Sequence, residues 1–282
     1  MADDPLYVQC YCAIDHVKSN ESLNIDLVNI NVPFDDEKLL KEWAVNFRRK
    51  FISDDDLIEE LEDTGINEPL DYLLSRIYPT LGDNFANSVR IGDFGEVLVA
   101  EYLMFLEQYW VPTLFTRYYG KPNKDKSTMG SDIFAIKFAD DSGENPNDEL
   151  CICEVKTGFS GTAKSRLQNA IDGSNKDDLS QIDLRVSASL GASKLGLKHN
   201  QNGSPFNYKK IARFENPIER PYNNQYLAAA VVDDTILKFN KLKEVTVGFS
   251  KHKKNLRMIT FHGIDLRKLL NALYGELGGE QS

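Results

Sequence analysis

Residues 23–32, Leu-Asn-Ile-Asp-Leu-Val-Asn-Ile-Asn-Val, alternate apolar and polar positions and predict a half-buried strand. Residues 6–14 are apolar enough to predict a strand before it. The Asp35-Asp36-Glu37 cluster after Pro33 opens a helix over 35–51 that closes on Arg48, Arg49 and Lys50, a charge order that suits the helix dipole. A short acidic helix over 54–62 and another over 68–78, stopped by Pro79, follow. Residues 90–109 give the strongest helical pattern: Ile91, Phe94, Leu98, Tyr102 and Phe105 recur at helical spacing, and Val97, Ala100 and Met104 widen the stripe. Glu96 falls inside this stretch, just after Gly92 and Gly95. A glycine costs about 1 kcal/mol in a helix interior, so the pair points to close approach by another element. Taken alone, Glu96 is either on a solvent face or held in a site.

Strand patterns dominate the middle of the chain. Residues 112–119 predict a strand, 120–129 a loop carrying Lys121, Lys124 and Lys126, and 130–139 a strand entered by Asp132. The 140–149 loop turns the chain back into a partner strand over 150–157. Residues two apart on a strand share a face, so Glu154 and Lys156 project side by side. Hairpin pairing brings the start of one strand to the end of the other, which places Asp132 beside them. Further on come a helix over 162–174 presenting Lys164, Arg166 and Gln168, a helix over 176–190, and an irregular basic insertion over 191–221. Strands over 226–232, 245–250 and 256–261, a basic turn with Lys251, His252, Lys253 and Lys254, and a helix over 264–277 complete the chain. The expected fold is mixed α/β: a restriction-endonuclease-like central sheet flanked by helices (89–282), with an N-terminal α/β accessory region (1–88) for partner docking.

Composition adds class and compartment. The chain has 282 residues, 41% hydrophobic and 27% charged, as in ordinary globular proteins. No apolar run approaches the roughly 20 residues of a membrane span, and the acidic N-terminus lacks the order of a signal peptide, so the expected compartment is the cytoplasm. Cys10, Cys12, Cys151 and Cys153 form two Cys-x-Cys pairs on predicted strands, a spacing poor for disulfides and for zinc; they read as small buried side chains. The net charge of −10 is unevenly spread. Residues 1–156 hold 14 Lys+Arg against 31 Asp+Glu, and residues 157–282 hold 19 against 12. The second half can meet a polyanion; the first can dock a basic partner or simply keep the chain soluble.

Asp132, Glu154 and Lys156, with Glu96 from the preceding helix, suit one chemistry. Phosphodiester hydrolysis needs charge neutralised on the phosphate and a nucleophile made from water, and a divalent cation does both. Mg2+, or Mn2+, takes hard oxygen ligands, so Asp132 and Glu154 would anchor it, with the Cys153 or Val155 carbonyl beside them. Lys156 would orient or help deprotonate the water and stabilise charge. Glu96 would act from the second layer or bind the metal through water. The plain alternative is a solvated Glu154–Lys156 pair with Asp132 capping a strand end. No phosphate-binding Walker motif is present, so no nucleotide cofactor is expected.

This order of elements resembles the PD-(D/E)xK nuclease superfamily, with Glu96, Ser131-Asp132 and Glu154-Val155-Lys156 as its motif and Ser131 in the place of the proline. The resemblance spans about residues 90–175 and implies a polar helper on the following helix, for which Lys164 and Gln168 are candidates. The whole chain resembles the HamA-like nuclease subunit of the Hachiman anti-phage defence system. The Gly-x-x-Gly-Glu helix at 92–96, Gly-Ser-Asp at 130–132, Cys-Glu-Val-Lys-Thr-Gly at 153–158 and Ala-Ala-Ala-Val-Val-Asp-Asp at 228–234 carry the likeness. It implies a metal-dependent deoxyribonuclease restrained by a superfamily 2 helicase partner and degrading DNA when released. Lys121, Lys124, Lys126, Lys251, Lys253 and Lys254 are candidate DNA contacts. A silent DNA-binding scaffold and an RNA-directed or stand-alone restriction-type nuclease are the alternative readings.

Overall fold

Among the described residues six strands form a single mixed sheet: β1 (Tyr11–Lys18), β2 (Asn24–Ile30), β3 (Ile133–Lys137), β4 (Glu149–Gly158), β5 (Asn223–Asp233) and β6 (Leu256–Gly263). Their order is β1-β2-β6-β5-β4-β3. The central four, β2, β6, β5 and β4, run parallel, and β1 and β3 close the two edges as antiparallel strands. The computed structural model describes residues 4–118, 120–127, 130–140, 144–175, 184–199, 208–248 and 254–275.

Nine α-helical segments lie among these residues: α1 (Glu37–Arg48), α2 (Asp54–Thr64), α3 (Pro69–Tyr72), α4 (Asn84–Phe105), α5 (Ala163–Ser174), α6 (Leu184–His199), α7 (Lys209–Ala212), α8 (Phe239–Leu242) and α9 (Leu266–Leu273). The caps explain several starts. The carboxylates of Asp36 and Asp83 and the hydroxyls of Ser53 and Thr162 each accept a backbone N–H in the first turn. Asp83 caps α4 at Asn84, six residues before the predicted start at residue 90.

β4 and β5 are buried on both faces, as parallel strands covered by helices should be. On one face Cys151, Cys153 and Val155 pack with Phe94, Val97 and Leu98 of α4. On the other, Ala228, Ala230 and Val232 meet Leu167, Ala170 and Ile171 of α5. α4 is buried nearly all round and so shows little amphipathicity.

Residues 4–88 contribute to this same sheet and core. β2 pairs in parallel with β6, Ile25 opposite Met258. Glu101 of α4 is fully buried and accepts hydrogen bonds from Tyr7 Oη and Trp43 Nε1, both at 3.1 Å. Tyr7 and Trp43 stack with ring centroids 4.9 Å apart.

Several elements differ from expectation. Residues 6–10 form a 3-10 turn, and the strand starts at Tyr11. Pro112–Phe115 is also a 3-10 turn; among the described residues of this stretch Trp110 alone pairs with the sheet, bridging to Ile136. Residues 245–248 are not a strand, although Val245 and Val247 are buried against the core. The predicted 176–190 helix lies at 184–199, residues 176–183 being outside those described. Within the basic insertion, Lys194 pairs with Glu215 at 2.6 Å and Arg213 with buried Asp148 at 2.9 Å, so these two cations serve the fold.

Candidate active site

The site forms where β4 runs on past the start of β3. The register sets Ile133 opposite Cys153, so β4 from Glu154 onward extends beyond the hairpin. Asp132, one residue before β3, substitutes for the missing strand: its Oδ2 accepts the Val155 N–H at 2.8 Å. This is the juxtaposition of Asp132 with Glu154 and Lys156 that hairpin pairing predicts.

Glu154 and Lys156 share the face toward α5. Glu154 lies under Gly173, where a Cβ would come within 2.6 Å of its carboxylate carbon. Lys156 Nζ stands 2.6 Å from Glu154 Oε1, 3.1 Å from the Val155 carbonyl and 3.7 Å from Asp132 Oδ2. Two carboxylates and a carbonyl therefore converge on one cationic nitrogen. Burial alone would lower the pKa of this ammonium, but Asp132 and Glu154 outweigh burial and hold it above the ordinary lysine value.

Glu96 reaches the same place from the opposite face of the sheet. α4 approaches β4 closely because residue 95 is glycine: a Cβ there would overlap the Thr157 hydroxyl. Gly92, by contrast, faces open space and lines the cleft. Arg117 then ties Glu96 to the hairpin. Its Nε donates to Glu96 Oε2 at 2.7 Å, Nη1 to the Ser131 carbonyl at 2.7 Å, and Nη2 to Asp132 Oδ1 at 3.4 Å. Tyr118 donates its hydroxyl to Glu96 at 2.8 Å. The result is a chain of alternating charges, Glu96–Arg117–Asp132–Lys156–Glu154.

Burial is the largest influence on Glu96 and carries its carboxyl up to about 8; Asp132 and Asp93 add to the rise, while Arg117 and Tyr118 oppose it. Burial would lower Arg117, but Glu96, Tyr118 and Asp132 hold it above the ordinary arginine value. The guanidinium stays cationic, so proton uptake within the pair falls on the carboxylate. Asp93, one turn before Glu96, is raised by burial to about 6 and pairs with Lys121 at 3.3 Å.

A cleft of about 440 Å3 opens onto these groups, lined by Glu96, Asp132, Lys156, Thr157, Arg166 and Arg267 among others. The other cations expected near DNA are placed differently. Lys121 is buried against Asp93, and Lys124 donates to the Leu74 and Tyr78 carbonyls. Both hold residues 120–127 against α4 and the segment before it. Lys126 and Lys254 are exposed, while Lys251, His252 and Lys253 lie outside the described residues. Gln168 exchanges two hydrogen bonds with the backbone of Thr246, both at 2.9 Å, and so ties α5 to the 245–248 segment. Neither Lys164 nor Gln168 lines the cleft.

Sequence reasoning missed Arg117, whose signal is a single charge within the apolar run 109–119, and Arg267. Among the described residues no group of three His, Cys, Asp or Glu side chains is disposed as it stands to hold a metal. The donor set at Lys156 Nζ is nevertheless one of hard oxygens gathered round a positive charge, the kind a magnesium-type cation takes.

The HamA family model matches residues 6–277, nearly the whole chain. The chain belongs to the HamA family. Proteins of this family are components of the multi-component Hachiman defence system, which acts against viruses. The match takes in every residue of the charge chain, from Glu96 to Lys156. Among curated proteins nothing matches the chain. No helix among the described residues is long and apolar enough to cross a membrane.

Proposed function

We propose that this chain is the nuclease of its Hachiman complex, a divalent-metal-dependent deoxyribonuclease of the PD-(D/E)xK type. In this reading a superfamily 2 helicase partner restrains it and its release leads to DNA degradation. The observation that carries the reading is the convergence of Asp132, Glu154 and the Val155 carbonyl on the position of Lys156 Nζ. Asp132, Glu154 and that carbonyl would hold Mg2+ or Mn2+. Bound there, the cation supplies Lewis-acid stabilisation of phosphate charge and eases deprotonation of water. Lys156, about one-third exposed and facing the cleft, is a cation at all working pH. That favours charge stabilisation and water orientation over proton abstraction as its role. Glu96 and Arg117 would fix the position of Asp132, the only one of the proposed ligands that precedes its strand. A silent DNA-binding subunit is the second reading, favoured by Lys156 itself already neutralising the carboxylates that a metal would use.

Metal binding should depend on pH in a defined direction. The folded Glu96 carboxyl lies at about 8 against an ordinary 4.5, so its contribution to stability is complete below the lower value and is lost as pH rises through the upper. A nearby divalent cation favours the ionised cluster. The Mn2+ affinity of the full chain, measured by calorimetry, is therefore expected to rise on the order of tenfold between about pH 6 and about pH 8.5. The Mn2+-induced increase in Tm should grow in parallel. An affinity that is flat across this range, or one unchanged by Asp132→Asn, counts against a metal at these carboxylates.

A further inference from the structure

Two guanidinium groups line the same cleft as Lys156, and their placement is specific. Residues 154, 156 and 158 share one face of β4, but residue 158 is glycine. Arg166 of α5 fills the vacancy: a Cβ on Gly158 would come within 2.6 Å of its Cζ. The strand face thus reads carboxylate, ammonium, guanidinium, the last supplied by the helix. Arg166 Nη2 donates to the Ser160 carbonyl at 3.3 Å, and the Arg267 guanidinium of α9 lies 5.3 Å from the centre of the Phe159 ring. The single 158–160 turn therefore fixes both. Among the described residues neither arginine forms an ion pair, whereas Lys156 and Arg117 are both engaged with carboxylates. Two fixed cations without counter-charges in a cleft suit an anion with several oxygens.

We infer that Arg166 and Arg267 form a phosphate subsite that binds the DNA phosphate neighbouring the one held at Lys156. The inference rests on the deoxyribonuclease reading and deepens it: the cleft grips the sugar–phosphate backbone rather than base edges, and it places the scissile phosphate by gripping the adjacent one. Arg166 and Arg267 bind, and Gly158 acts by giving Arg166 its position.

The test uses the full chain and a fluorescein-labelled duplex oligonucleotide in EDTA, read by anisotropy across a salt series. Arg166→Gln is expected to weaken binding about tenfold and to lower the slope of log K against log salt by about 1; Arg166→Gln with Arg267→Gln lowers it by about 2. Gly158→Ala keeps every charge but displaces the guanidinium, and it is expected to weaken binding nearly as much as Arg166→Gln. Thermal melting of each variant within a few degrees of wild type establishes that the loss is not unfolding. A parallel assay with Mg2+ reads cleavage. Wild-type cleavage together with an unchanged affinity and slope in Arg166→Gln overturns the subsite and leaves the nuclease reading standing. No DNA binding and no cleavage by wild type overturns both.

Discussion

Replacing Glu154 and Lys156 together by alanine is expected to reduce Mg2+-supported plasmid cleavage by at least about 100-fold, with DNA binding retained. Removing a single group that stabilises transition-state charge typically costs about 100- to 1,000-fold. Here one substitution removes a carboxylate proposed to anchor the metal, and the other removes the cation that faces the cleft. Their side chains lie 2.6 Å apart, so the two effects should not add as independent losses. Binding should persist because the proposed phosphate grip resides on Arg166 and Arg267, on other elements. The assay is run on the complex purified with its partner, by following loss of supercoiled DNA. Undiminished cleavage in the double variant ends the catalytic assignment. A wild-type complex that binds DNA and never cuts it supports the silent-subunit reading.

Above about pH 8, where the Glu96 carboxyl is ionised, Arg117→Met is expected to destabilise the protein by about 3–5 kcal/mol, the usual cost of removing one partner from a buried ion pair. The Arg117 and Glu96 side chains are only 7% and 9% exposed, and the guanidinium also satisfies the Ser131 carbonyl. Without it, Glu96 keeps a hydrogen bond from Tyr118 but loses its counter-charge. Asp132 loses one of the groups that fix it, so cleavage should fall along with stability. Arg117→Lys should recover part of the stability and little of the geometry, since an ammonium cannot span Glu96, Ser131 and Asp132 as a planar fork does. Urea unfolding measures the difference. A loss below about 1 kcal/mol for Arg117→Met would mean that the pair is a solvated contact.

Local chemistry explains what was legible in the sequence. The hairpin that opposes Asp132 to Glu154 is bounded by a Gly-, Asn- and Pro-containing loop, and period-two spacing fixes which side chains share a face. The apolar stripe of α4 with Glu96 inside it marked a helix enclosed by the core, and Gly95 marked the close approach that Thr157 confirms. The remote pairings were not legible. β2 lies against β6, more than two hundred residues away, and nothing in the alternation at 23–32 names its neighbour. Apolar content also misled at 112–119, where Pro112 opens a 3-10 turn and, among the described residues, the preceding Trp110 alone pairs with the sheet. Charge counting gave the loop lysines to DNA, yet burial beside Asp93 decides Lys121 and two main-chain carbonyls decide Lys124. Arg166 was visible as a basic residue on its helix, but its importance came from the missing side chain at Gly158, a relation between strand and helix.

In the proposed site Asp132 and Glu154 jointly hold a divalent cation where Lys156 Nζ now stands. Anomalous diffraction from crystals of the chain soaked in Mn2+ is the decisive experiment. The expected result is an anomalous peak within about 2.0–2.4 Å of both carboxylates and near the Val155 carbonyl, with the Lys156 ammonium displaced toward the cleft. Saturating Mn2+ that leaves no peak there, with Lys156 still bonded to Glu154, would contradict it.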